Sequence, residues 1–148
     1  MVMVNKWDRW VMSKMRKIRV DRTDIKIGGV YMFAYVPNKT ELKRGLYGGQ
    51  DMMPLLILTS MNGRGLLGVN VKGLPDRALR IRVLENYKKS IETSDLKERL
   101  KGLMLISRTV QRQNPLKSAY KFFKWSDIRS KVVKLTPEEL EEAITRIL

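Results

Sequence analysis

The sequence predicts an α+β fold: a small bent antiparallel sheet, or an SH3-like β-barrel, with flanking helices at the N-terminus, in the middle and at the C-terminus. Three observations point there. Residues 27–71 alternate short β-branched and aromatic runs with Gly, Pro and Asn, the texture of strands joined by turns. On both sides of that stretch apolar residues recur every three or four positions, the helical period. A chain of 148 residues that is 43% hydrophobic is long and apolar enough to bury one core. The expected organisation is a basic amphipathic helix or arm over residues 1–26 and a single α+β domain over residues 27–148.

Each element has its own signal. Val4, Trp7, Val11, Met15 and Ile18 mark the apolar stripe of a helix over residues 3–20, with Lys6, Arg9, Lys14, Lys17 and Arg19 largely between them. Gly28-Gly29 leads a strand over residues 30–36, which Pro37-Asn38 ends. A Gly-containing loop over residues 39–53 follows, and then the unbroken apolar run of residues 54–59 reads as a strand buried on both faces. Asn62-Gly63-Arg64-Gly65 is a tight-turn signal, so residues 66–71 pair back as a third strand. These three strands are expected at the centre of the sheet.

After Leu74-Pro75 the helical period returns. Asp76 caps a helix over residues 77–88 with Leu79, Val83 and Leu84 inward, and a second helix starts at Thr93 or Ser94 with Leu96, Leu100, Leu103 and Leu105 inward. Residues 131–135 alternate like an edge strand guarded by lysines. Thr136-Pro137-Glu138-Glu139 then gives a hydroxyl N-cap, Pro at the first helical position and Glu at the third, a capping box that opens a last helix to about Ile147. The four glutamates of that helix are explained by the positive end of its dipole rather than by a metal.

Charge carries the functional signal. The chain has 30 Lys and Arg against 15 Asp and Glu, a net charge of +15. Residues 1–26 hold 8 basic and 3 acidic groups, residues 27–76 hold 5 and 3, residues 77–134 hold 16 and 5, and residues 135–148 hold 1 and 4. A nearly neutral middle with basic flanks suits a protein that folds first and then grips phosphates. Two surfaces are expected: Arg16, Lys17, Arg19 and Arg22 on the first flank, and Arg108, Arg112, Lys117, Lys121 and Lys124 on the second. In the second, the cations interleave with Tyr120, Phe122, Phe123 and Trp125, an arrangement found where nucleic acid is stacked and gripped, although aromatics so placed also serve a core with snorkelling neighbours.

Composition excludes several classes. The chain has no Cys and no His, which removes zinc fingers, thiol nucleophiles and imidazole bases. No apolar run reaches the length of a membrane span, and the N-terminus lacks the apolar stretch of a signal peptide, so no membrane association and a cytoplasmic setting are expected. No catalytic residues, cofactor or metal are expected.

The elements in order resemble a family. The segments are Gly29 with the strand that follows it to Lys39, the proline-led strand from Pro54, and Gly65-Leu66-Leu67-Gly68-Val69-Asn70-Val71-Lys72-Gly73-Leu74-Pro75. Lys121, Ile128-Arg129-Ser130-Lys131 and the Pro137-Glu138-Glu139 helix start complete the set. This pattern, spanning residues 28–145, is similar to small proteins of T-even-type contractile-tailed bacteriophages described as DNA end protectors or virion proteins. Leu46-Tyr47-Gly48-Gly49-Gln50-Asp51 and Lys72-Gly73 depart from the family pattern. The resemblance implies a non-enzymatic virion protein, present in the host cytoplasm during assembly, that binds duplex DNA in genome-end protection or head completion and contacts other virion proteins.

Two alternatives stand beside it. One is a head–tail or tail connector whose basic flanks dock on an acidic partner surface. The other is a ribosome-associated or RNA-binding small barrel, since the strands from Gly28 to Val71 are also similar to SH3-like ribosomal barrels and to endoribonuclease toxins of the MazF type. For the toxin chemistry only Arg44 and Thr59 offer themselves. No helix-turn-helix or zinc module is present in the sequence, so sequence-specific base reading is not expected.

Overall fold

Successive residues of a strand face opposite sides of its sheet, so the wholly apolar runs at residues 30–32 and 55–58 demand cover on both faces. The computed structural model, which describes residues 6–14, 20–35, 53–74, 76–93, 95–111, 119–128 and 132–148, shows how that demand is met. In chain order the elements are α1 (Lys6–Lys14), a 3-10 turn (Arg22–Asp24), β1 (Val30–Met32), β2 (Leu55–Asn62), β3 (Gly65–Asn70), α2 (Arg77–Glu92), α3 (Leu96–Gln111), β4 (Tyr120–Lys124), β5 (Val133–Leu135) and α4 (Pro137–Glu142). The last helix runs on into a π-helical turn (Ala143–Ile147).

The strands form one antiparallel sheet in the order β4-β3-β2-β1-β5. Its three central strands are the three that the sequence places there. The sheet is open, with β4 and β5 at its edges, so the bent-sheet form of the expectation holds and the closed SH3-like barrel does not. Lys134 is exposed between buried Val133 and Leu135 on edge strand β5, as its alternation requires.

On one face Val30, Met32, Leu55, Ile57, Val69, Val133 and Leu135 pack against all four helices. On the other, Tyr31, Phe33, Tyr35, Leu56, Leu58, Leu66 and Phe123 form a second cluster, closed by Ile25 and Val132. Phe123 stands edge-on to Phe33 and Tyr35, with ring centres 5.5 and 4.9 Å apart. No helix covers this second face among the described residues. It is sealed by chain folded back over it: Val20 N–H donates to the Val132 carbonyl at 2.9 Å, and Tyr35 bridges to Ile128.

The hairpin of β2 and β3 is bent. Its register slips between Leu58 and Ser60, and β3 approaches its neighbours where it has no side chain. A Cβ on Gly68 would lie 2.1 Å from the Ile57 carbonyl oxygen, and one on Gly65 would lie 2.1 Å from that of Phe123. At the other end of β3, buried Asn70 ties three segments: its Oδ1 accepts the Leu55 N–H at 3.1 Å and its own N–H donates to the Ala119 carbonyl at 2.7 Å.

Helices α2 and α4 begin where the sequence says, whereas α3 begins at Leu96, past the expected Thr93 or Ser94, with Asp95 Oδ1 accepting the Lys97 N–H at 2.9 Å. Asp76 accepts the Ala78 N–H at 2.8 Å to cap α2, and Leu79, Val83 and Leu84 are buried. Thr136 and Glu139 make the reciprocal capping box of α4 at 3.1 and 3.0 Å. Helix α3 departs from expectation. Of Leu96, Leu100, Leu103 and Leu105 only Leu103 is buried, because the helix docks through Leu103, Ile106 and Val110 instead.

Helix α1 packs against the C-terminal turns. Trp7, Trp10 and Val11 join the helix-side core, the Trp10 indole N–H donates to Glu142 Oε1 at 3.1 Å, and Lys14 lies 3.1 Å from Glu139. Lys6 Nζ donates to the Arg146 carbonyl. Of the expected stripe, Val4, Met15 and Ile18 lie outside the described residues.

Two buried phenols, Tyr31 of β1 and Tyr87 of α2, line one cavity. Burial raises Tyr31 above the ordinary 10.0, partly offset by the Lys26 N–H that it accepts at 2.8 Å, with Asp24 adding to the rise. Burial likewise raises Tyr87, with Tyr31 adding, Arg99 opposing and Glu138 adding.

Gly68→Ala is expected to destabilise the fold by about 1–3 kcal/mol, since a backbone carbonyl in the ladder must move. Gly63→Ala, with nothing within 4 Å of the added methyl, is expected to be neutral or to stabilise by about 0.4–1 kcal/mol. Urea unfolding of the two variants compares them directly. Because both phenols hold their proton more tightly when folded, the stability that they contribute is complete below about pH 10 and is lost as pH rises through their folded pKa values. Tyr87→Phe should therefore flatten the alkaline decline of unfolding free energy; an unchanged decline would refute the assignment.

Candidate nucleic-acid interface

The turn between β2 and β3 builds a rigid platform for charge. Asn62 Oδ1 accepts the N–H groups of Arg64 and Gly65 at 2.8 and 3.2 Å, which closes the turn through a side chain. Trp125, at the start of the 3-10 turn after β4, is strapped to that tip by two bonds. Its backbone N–H donates to the Arg64 carbonyl at 3.0 Å, and its indole N–H donates to the Asn62 carbonyl at 3.2 Å. The close approach at Gly65 brings the tip against β4.

Onto this platform the chain delivers cations from three separate segments. The Arg22 guanidinium lies 3.9 Å from the centre of the Trp125 ring, a stacked cation–π contact. Arg22, Arg64 and Lys124 line a shallow cavity of about 570 Å³ together with Phe122, Trp125 and Ser126. No carboxylate pairs with Arg22 or Arg64 among the described residues. The nearest acid in sequence to Trp125, Asp127, is buried and accepts from the Tyr35 hydroxyl at 3.4 Å. A guanidinium held over an indole, beside two more cations, is suited to a phosphate and to a base stacked next to it.

Arg22 and Lys124, expected on two different surfaces, therefore meet at one. Lys121, three residues before Lys124 in β4, falls on the opposite face of that strand. Arg108 is exposed on α3, in the helical layer, and does not line the cavity. Arg16, Lys17, Arg19, Arg112 and Lys117 lie outside the described residues. Arg64 was missed: as part of a turn signal it carries no charge pattern of its own, and only the pairing of β2 with β3 brings it beside Trp125. Of the aromatics, Phe123 is wholly buried in the second core, while Trp125 and Phe122 border the cavity.

Thr59, offered for ribonuclease chemistry, has its hydroxyl spent within the sheet. It donates to the Leu67 carbonyl at 3.2 Å and lies 3.3 Å from the Tyr120 hydroxyl. Arg44 lies outside the described residues. No group of acidic residues arranged to hold a metal occurs among the described residues.

The chain matches no protein-family model, no curated protein and no solved structure.

A double-mutant cycle on Arg22→Gln and Trp125→Leu should return a coupling of about 0.5–1 kcal/mol in unfolding free energy. Trp125→Leu alone should cost about 1–2 kcal/mol, because it also removes the indole bond to Asn62. Additive effects in urea titrations would mean that the stack contributes nothing.

Proposed function

We propose that this chain is a non-enzymatic bacteriophage virion protein that binds duplex DNA through phosphate contacts, in genome-end protection or head completion. The observation that carries the reading is the convergence of Arg22, Arg64 and Lys124 on Trp125, in a chain whose net charge is +15. The resemblance of residues 28–145 to small virion proteins of contractile-tailed phages supplies the biological setting, the virion and the host cytoplasm during assembly.

The remaining charges support the same division. Three of the last helix's glutamates are engaged within the molecule: Lys14 pairs with Glu139, Glu142 accepts the Trp10 indole N–H, and Lys88 pairs with Glu141 at 2.7 Å. Arg22 and Arg64 at the hairpin tip pair with no carboxylate among the described residues, so polyanion is the complementary ligand. Protection of a terminus then works by occlusion. The protein covers the end and denies it to exonuclease, with phosphate contacts holding it there and no bond made or broken.

Binding of the purified protein to a linear duplex and to its covalently closed circular form tests this, at low and moderate salt. About six phosphate contacts cost roughly a thousandfold in affinity between about 50 and 200 mM salt. The triple variant Arg22→Ala, Arg64→Ala, Lys124→Ala should weaken binding and reduce the logarithmic salt slope by about three. Preference for the linear form, with slower exonuclease digestion, is the expected result. Weak binding to both forms, or a salt slope unchanged in the triple variant, would reject the interface.

A further inference from the structure

Helix α3 leaves a ridge of apolar side chains in solvent. Leu96, Leu100 and Met104 are 69%, 41% and 52% exposed and stand one turn apart, on neighbouring positions of one side of the helix. Singly exposed leucines are ordinary, but an aligned row of them is a feature that a soluble domain keeps for contact. The ridge does not end at the helix surface. Leu96 and Leu100 also line a cavity of about 470 Å³, whose other walls include Leu103, Ile91, Tyr31 and Tyr87. That volume suits one or two large apolar side chains.

We infer that the α3 ridge and the cavity beside it form a docking groove for an acidic amphipathic segment of a partner protein. Charge selects the occupant. Lys97, Lys101 and Arg108 stand along the same helix, and Lys26, Arg99 and Lys134 line the cavity. Glu98, the sole acid of α3, is held 3.3 Å from Lys101. An apolar groove in a basic surround is complementary to apolar anchors flanked by Asp or Glu, docked as helix or strand by regularly spaced side chains.

The alternatives fit less of the surface. A second copy of the chain brings another +15, and its acidic C-terminal helix already pairs with Lys14 and Lys88. DNA satisfies the cations but sets phosphates against leucines. A small amphiphilic anion fills the cavity but leaves Met104 and Leu105 bare. An acidic peptide covers ridge and cavity together. This groove is separate from the Trp125 cluster and stands or falls independently of DNA binding.

The test uses the full chain. A random-peptide library is selected against the wild-type protein, with Leu100→Asp protein as the counter-selection, and the enriched peptides are measured by fluorescence anisotropy. Acidic peptides with apolar anchors are expected, binding one to one. Leu100→Asp and, separately, Met104→Asp should weaken them at least tenfold while leaving circular dichroism and affinity for linear DNA unchanged. Arg22→Ala should leave peptide binding intact. Enriched peptides without acidic residues, an equal affinity for the Leu100→Asp protein, or no peptide that depends on Leu100 would overturn the inference. So would a dimer in sedimentation that dissociates on Leu100→Asp, since the ridge would then belong to a second copy.

Discussion

Where β3 crosses its neighbours there is no room for a side chain. The carbonyls of Ile57 and Phe123 occupy the space that Cβ atoms on Gly68 and Gly65 would need, so the bent hairpin is unstrained only with glycine at both positions. That bend decides which residues can meet. It curls Leu56, Leu58 and Leu66 around Phe123 on one face, while Ile57 and Val69 serve the helix-covered face. It also carries the Asn62–Gly65 end of the hairpin to β4, where Trp125 fastens it. A flatter hairpin would leave Arg64 and Trp125 apart, and Arg22 without a ring to lie on.

Much of this was legible in the residues. Strand and helix signals are local, and local chemistry placed the central strands, the Asp76 cap and the Thr136–Glu139 box. The errors came where a long-range choice intervenes. Helix α3 offers two apolar stripes, one through Leu96 and Leu100 and one through Leu103, Ile106 and Val110; which of them faces the sheet depends on where the helix lands. Trp10 is absent from the expected stripe for a similar reason, since its place is beside Glu142, which accepts its indole N–H from the far end of the chain. The candidate interface was half legible. Arg22 and Lys124 stood out as charges, but that they share one aromatic ring follows from tertiary contact alone.

Charge is divided between holding the fold and facing outward. The glutamates of the last helix take up lysines of α1 and α2, and these partly exposed pairs each add at most about 1 kcal/mol to stability. Their larger effect is on the field of the whole molecule. With those carboxylates engaged at one place, the positive potential elsewhere, at the hairpin tip and along α3, has little to oppose it.

The contact between α1 and the C-terminal turns joins segments that leave the ribosome far apart in time. At about 5–20 residues per second, Trp7, Trp10 and Val11 emerge roughly six to twenty-seven seconds before Leu140 and Ile144. The edge pairing of β1 with β5 waits roughly five to twenty seconds at the same rate. During that interval two tryptophans and the open flank of a strand have no native cover. The nascent chain depends on whatever shields them until Leu140 and Ile144 have emerged.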